Sequence, residues 1–305
     1  MKKTIIPLSI IMIILGIVIQ YRHQILIEIN KILYPRHEVI IGKTNDYYRS
    51  YDFNYVKITE NFAPTNKEDL INIYYTAINA GKNHFSFYCP DEYTTCLDDV
   101  KTLANDRTIL SDINNYVHPF NGFTHIETRY DSLGEVTINI MKSYTQEEIK
   151  IVKAKVDELK PQLIDPLQPP EVNIRKVHDY IINNSKYDSA RSNQNIITYK
   201  SDTAYGPLIE GYGICGGYTD AMQLFLEEMG IKSFKVSSDT HIWNAVYLNN
   251  QWYHLDLTWD DPVTQTQIDI LSHDFFLIPT DKLLQIEQTE HNFDQNVYSE
   301  LKKAY

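Results

Sequence analysis

Only three cysteines occur among 305 residues, too few for a scaffold held by disulfides, so a hydrophobic core must carry the fold. Basic residues are also short, 28 Lys and Arg against 40 Asp and Glu, giving a formal net charge of -12. No basic run is long enough to track a phosphate backbone, and nucleic acid is therefore not an expected partner. Internal repeats and low-complexity tracts are lacking, which removes repeat architectures. Hydrophobic residues at 43% suit a globular chain, and the 23 tyrosines are absorbed by half-buried strand and helix faces. The length allows one large core or two modest ones, and two domains are expected.

Long runs dominated by apolar residues are lacking everywhere but at the start. Lys2 and Lys3 precede an isoleucine-rich run from Thr4 to Tyr21 that ends at Arg22, the pattern of an export signal. No small-x-small cleavage site follows, so residues 1–22 are expected to remain as a signal anchor, near the minimum length for a membrane span. The flanking charges favour an external body. A single pass in the cell membrane with an extracytoplasmic body is the expected location, with secretion as the alternative. Residues 23–37 read as an amphipathic stalk.

Export makes the cysteines informative. Cys89 and Cys96 stand seven positions apart in "CPDEYTTC", and in an oxidising compartment they are expected to form a disulfide. Cys215 is then the odd thiol, which calls for an intermolecular bond or for chemistry. Neither the cysteine spacing nor nearby histidines match the usual zinc ligand pairs, so no metal and no cofactor are expected.

Residues 38–145 give mixed signals and read as a small α+β domain. "TNKEDLINIYYTAINAG" places Thr65 and Glu68 as a capping box and Gly81 as a stop. "HFSFYC" reads as a strand, and "THIETRY" and "EVTINIM" alternate around "DSLG" as a hairpin with Gly134 at positive φ. Residues 146–170 are a helix and a proline-rich linker. Thr145 and Glu148 form a second capping box, and four prolines between residues 161 and 170 mark the domain boundary. A helix bearing Ile174, Val177 and Ile181 on one side then opens the second domain, residues 171–305.

Within "EGYGICGGYTD" the sequence mounts Cys215 between glycines. Tyr218, Ala221, Met222, Phe225, Leu226 and Met229 follow at helical spacing until Gly230, so the cysteine sits at the first turn of a helix. Unpaired N–H groups and the positive end of the helix dipole meet there and favour a thiolate. Downstream, "THIWNAVYL" and "QWYHLDLTW" alternate on either side of Asn249 and Asn250, a pair suited to a two-residue turn. In that register Trp243 faces Asp256 and His241 lies diagonal to it, which brings an imidazole and a carboxylate within about 5 to 8 Å. His241, Trp243, Ala245 and Tyr247 share one face with Trp252, His254, Asp256 and Thr258, and the other face reads as core. A thiolate needs a base that also protonates the leaving amine, and that base needs a group to hold its tautomer. Cys215, His241 and Asp256 fit those roles, although spacing alone leaves His254 open as the base. Trp243 and Trp252 either wall a substrate channel or fill core, and Asp260 and Asp261 shape the turn after the strand.

"AYGPLIEGYGICGGYTDAMQLFLEEMGI" and "HIWNAVYLNNQWYHLDLTWDDP", flanked by "VHDYIINNSKYD" and "DFFLIPT", resemble the transglutaminase-like superfamily, specifically bacterial exported proteins with a transglutaminase/protease-like domain. The resemblance covers roughly residues 171–280. It implies a papain-like α+β core, with the cysteine helix packed on an antiparallel sheet, and a Cys-His-Asp triad. By matching motif it gives Cys215 as nucleophile, His241 as base and Asp256 as orienting acid, and makes His254 a neighbour. Tyr205, in "AYG", is a candidate oxyanion donor beside the Cys215 N–H. Gly216 stands where many relatives carry glutamine, and this is expected to alter the rim of the substrate channel. The activity implied is cysteine-dependent acyl transfer on protein or peptide amides through a thioester, by crosslinking or by hydrolysis. The partner implied is a protein or peptide substrate such as a cell-wall or surface protein, and the alternative is a non-catalytic surface binding module of the same fold.

Overall fold

In the computed structural model, residues 8–33, 38–262 and 271–302 are described. The apolar run and the stalk join in one helix, α1 (Leu8–Leu33). Among the described residues no helix is long and apolar enough to cross a membrane, so the expected anchor gains no support from the fold. Residues 1–7 of that anchor and residues 34–37 of the stalk lie outside the described residues.

From residue 38 the chain runs irregularly to α2 (Lys67–Asn79), then β1 (His84–Tyr88), α3 (Cys96–Asn105) and α4 (Arg107–Asn115). The hairpin follows as β2 (Phe123–Tyr130) and β3 (Glu135–Lys142), with Gly134 at φ 87°. Strand order is β1-β3-β2, all antiparallel. The cap of α2 falls one residue later than expected. Asn66 accepts the Asp69 N–H at 3.0 Å, while Thr65 donates to the Asp69 carboxylate at 2.7 Å. Glu68 is bypassed because Asp69 already satisfies Thr65. Cys89 and Cys96 are bonded, their Cα atoms 5.7 Å apart, and tie the chain after β1 to the first residue of α3.

Helix α5 (Gln146–Leu163) opens with the capping box of Thr145 and Glu148. It carries Pro161 in its last turn, where little helix remains to be interrupted. Next come α6 (Pro170–Asn184), β4 (Lys186–Tyr187), α7 (Ser189–Gln194), a π-helical turn at Gly206–Glu210, and β5 (Tyr212–Gly213). After them stands α8 (Cys215–Glu228), followed by β6 (Ser233–Ser237), β7 (Ile242–Leu248) and β8 (Gln251–Leu255). Two short helices, α9 (Leu257–Asp260) and α10 (Thr280–Ile286), complete the set.

Asn249 and Asn250 turn the β7–β8 hairpin with φ of 50° and 62°, and Ala245 pairs with His254 and Tyr247 with Trp252, which is the register the sequence implies. The sheet β6-β7-β8 is covered on both sides. Val246, Leu248 and Leu255 join a core made by α5, α6 and α8, with Val156, Val177 and Phe225 among its members. Phe234, Val236, Trp243 and Ala245 on the other face join a core that includes Phe53 and Tyr116 from the first region and Phe293 and Tyr298 from the far end. The face predicted to be reactive is therefore a packed one. A three-stranded sheet apolar on both faces must bury both, and residues 38–145 provide the second cover. The proline-rich segment does not separate one core from another, because the first region closes over the sheet of the second.

Candidate active site

Cys215 is the first residue of α8, half-buried and unbonded to either other cysteine. No acidic residue occupies the first turn of α8, so nothing there offsets the positive helix end. Close backbone approach fixes this turn: a Cβ on Gly217 would lie 2.2 Å from the Ser201 carbonyl oxygen. The Ile214 N–H donates to that same carbonyl at 2.8 Å. Gly217 is thus required by space, and the cysteine is held on a backbone clamped to the segment before it.

His241 lies one residue before β7 and is buried. Its Nε2–H donates to Asp256 Oδ2 at 2.5 Å, which leaves Nδ1 as the nitrogen for the Cys215 side chain, to which the ring is hydrogen-bonded. Burial opposes a proton on His241, but the Asp256 charge and hydrogen bond, and then Cys215, outweigh it and raise the ring to about 10. The strand predicted through Asp256 stops one residue earlier. Asp256 instead caps α9, its Oδ1 accepting the Thr258 and Trp259 N–H groups at 2.9 and 3.2 Å. Burial works against its negative charge, yet His241 and His291 hold the carboxyl well below its usual range.

Trp243 and Trp252 take the core alternative, and Tyr205 has a setting of its own. Trp243 is 1% exposed, stacks on His241 with centroids 5.6 Å apart, and donates its indole N–H to His254 Nδ1 at 2.9 Å. It walls no open channel. Trp252 packs against Phe234 and Tyr247 at 4.8 and 5.1 Å, on the side of the sheet away from α8. The ring of Tyr205 lies under the Lys200 ammonium at 4.8 Å and against the helical core. Gly216 does border open space. Together with Ile242, Asp202, Lys200, Asn114 and Thr124 it lines a cleft of about 390 Å³, and the first region supplies one wall.

His254 is committed to structure. Because Trp243 donates to its Nδ1, the proton sits on Nε2, which donates to Thr280 Oγ1 at 3.0 Å. Burial, and then the charge of nearby His291, push the ring down to about 3 despite Asp256. A neutral ring with both nitrogens occupied has no nitrogen left for a thiol.

Residues 157–257 match the family model of the transglutaminase-like superfamily. These residues form a transglutaminase-like domain. No curated protein matches the chain. Among solved structures it is similar to a TGase, at 11% identity and a TM-score of 0.33 over 48% of this chain and 47% of that one. A cysteine-protease candidate from Cytophaga hutchinsonii shares 14% identity at a TM-score of 0.29, over 48% of this chain and 65% of that one. The chain thus spans about half and about two thirds of those proteins.

The transglutaminase-like match ends at residue 257, and one residue of the site without a signal in the sequence, His291, lies beyond it. His291 donates from Nε2 to Asp256 Oδ2 at 2.9 Å and from Nδ1 to Glu287 Oε2 at 2.7 Å. Tyr187 was missed as well. Burial raises its phenol, its hydrogen bond to Ser192 lowers it, and the charges of Cys215 and Glu290 raise it further. Among the described residues, two groups have metal-ligand composition, His241 with Asp256 and His291, and His178 with Asp179 and His273. In both, the aspartate already accepts a hydrogen bond from each histidine, which accounts for the grouping without an ion.

Proposed function

We propose that this chain is a cysteine-dependent enzyme acting on protein or peptide amides, with Cys215 as nucleophile, His241 as base and acid, and Asp256 as the group that orients His241. One observation carries the reading: a free cysteine at a helix N-terminus is hydrogen-bonded to a histidine whose other nitrogen is held by a buried aspartate. The Cys215 thiolate attacks the carbonyl carbon and a C–S bond forms. As the C–N bond breaks, the His241 imidazolium gives its proton to the departing nitrogen. The thioester then meets an amine or water, which loses a proton to His241 as the C–S bond breaks and the thiolate returns. The Cys215 backbone N–H at the start of α8 is the donor we assign to the developing oxyanion. The bonded Cys89 and Cys96 favour an oxidising, extracytoplasmic setting.

The test is incubation with a glutamine-containing protein and a labelled primary amine, beside Cys215→Ala. Incorporation of label identifies amine transfer, and cleavage or ammonia release identifies hydrolysis. A parent no more active than Cys215→Ala overturns the enzyme and leaves a surface binding module.

A further inference from the structure

Asp256 is held by more than the histidine it orients. Its Oδ1 is taken by two backbone N–H groups of α9, and its Oδ2 by His241 and His291. The carboxylate plane is therefore fixed by partners on three separate segments. His291 is itself pinned. The Glu287 carboxylate, an acceptor only, takes the N–H groups of Thr289, Glu290 and His291 at 2.8, 3.0 and 3.1 Å as well as His291 Nδ1–H. The ring is fully buried, stacked on Phe275 at 5.3 Å and set edge-on to Trp243 at 4.7 Å.

We propose that His291, braced by Glu287, is a positioning residue that holds Asp256 Oδ2 in line with His241 Nε2 throughout the reaction. The proposal rests on the reading of Cys215, His241 and Asp256 as the reacting group. Its physical basis is the charge cycle of His241. While His241 is an imidazolium it neutralises Asp256, but once it has given up its Nδ1 proton the buried carboxylate faces a neutral ring. A buried anion short of partners costs several kcal/mol and tends to rotate or take up a proton. His291 supplies a second donor to the same oxygen, so the carboxylate keeps its place in both halves of the cycle. Both ring nitrogens of His291 face carboxylates, and both bonds form together only when the ring carries both protons.

The experiment uses the full chain and iodoacetamide, whose reaction with Cys215 needs no substrate. Alkylation rate is measured against pH for the parent, His291→Phe, His291→Gln and Glu287→Gln, with thermal unfolding recorded for each. Phenylalanine keeps the ring volume and loses both donors, whereas glutamine sets an amide N–H near the place of Nε2. Expected is a His291→Phe rate about tenfold or more slower than the parent's at the acid end. His291→Gln recovers most of that rate, and Glu287→Gln shows a smaller loss. Rescue by glutamine at an unchanged unfolding temperature separates positioning from mere packing. A His291→Phe protein with the parent's profile overturns the proposal while the catalytic reading stands. If His291→Phe does not fold, Glu287→Gln decides, and the parent's profile in that variant overturns it. A parent that alkylates like free cysteine overturns the catalytic reading and this proposal with it.

Discussion

Around Asp256 and around Asp179 the chain builds the same trio, one aspartate between two histidines, and the two trios differ in burial and in what stands next to them. Asp256 is sealed, with His241 and His291 almost wholly inside. Asp179 is partly open, accepting from His178 Nδ1 at 2.9 Å and from His273 Nε2 at 2.7 Å, with the side chains of Asp179 and His273 31% and 26% exposed. The other nitrogen of His178 goes to Asp260, itself buried, at 3.1 Å. One trio meets a cysteine at a helix end; the other ties α6 to α9 and to the segment at His273. An aspartate that organises histidines is thus, in both places, a means of joining segments, and around Asp256 it also stands beside a thiol.

Breaking the trio at the cysteine should have the largest effect. On the proposed mechanism His241→Ala removes the base and the proton donor for the leaving group together, and turnover in the amine-incorporation assay is expected to fall by about 10³-fold or more. Asp256→Asn leaves His241 in place but loosens the imidazole, so its loss should be smaller, by about tenfold, than that of His241→Ala in the same assay. The same change in the other trio should act on stability alone. His178→Ala leaves the buried Asp260 carboxylate without its histidine, and denaturant unfolding should show a loss of about 3 kcal/mol, with Cys215 alkylation kept within about twofold of the parent.

His254 sharpens the comparison through pH, since it shares the surroundings of Asp256 without joining the trio. Its ring is held down at about 3 in the fold against 6.5 as reference. Between those values the unfolded chain binds the proton and the folded chain does not, so this residue's contribution is whole above 6.5 and is lost as pH falls toward 3. His254→Gln should flatten that stretch of a stability profile measured by denaturant titration from pH 7 to pH 4. The smallest effect is expected of Asp179→Asn, where solvent screens the pair. Unfolding should shift by less than about 1 kcal/mol, and the pH profile of alkylation should not move.

Much of this site was legible because its signals are local. Two asparagines at positive φ set the β7–β8 register, and that register carries His241 to Asp256. Cys215 could be placed on a helix because the apolar spacing from Tyr218 to Met229 is regular. His291 had no such signal. It lies 35 residues after Asp256, in a stretch without periodicity, and reaches the site through tertiary packing. The packed face of the sheet was misread for a related reason. Alternation shows which residues share a face and not what covers it, and the cover here comes from Phe53 and Tyr116, far away in sequence. The error at Thr65 is more local, since two acidic residues in a row offered alternative caps and only the geometry of Asp69 chose between them.

Tyr298 joins regions of the chain that are made at very different times. Its hydroxyl donates to Asp112 and meets Asn115 and Ser237, while the Tyr116 hydroxyl donates to the Val297 carbonyl at 2.7 Å. The polar seam between the first region and the central sheet is therefore closed by a residue some 180 positions downstream of Asn115. As it leaves the ribosome, the chain passes through a long interval in which Asp112 and Asn115 lack this partner and Asp256 lacks His291. Loops of that span close late and slowly. Until they close, the nascent protein carries a cysteine without its assembled surroundings, so chain delivery itself sets the earliest moment at which the surroundings of Cys215 are complete.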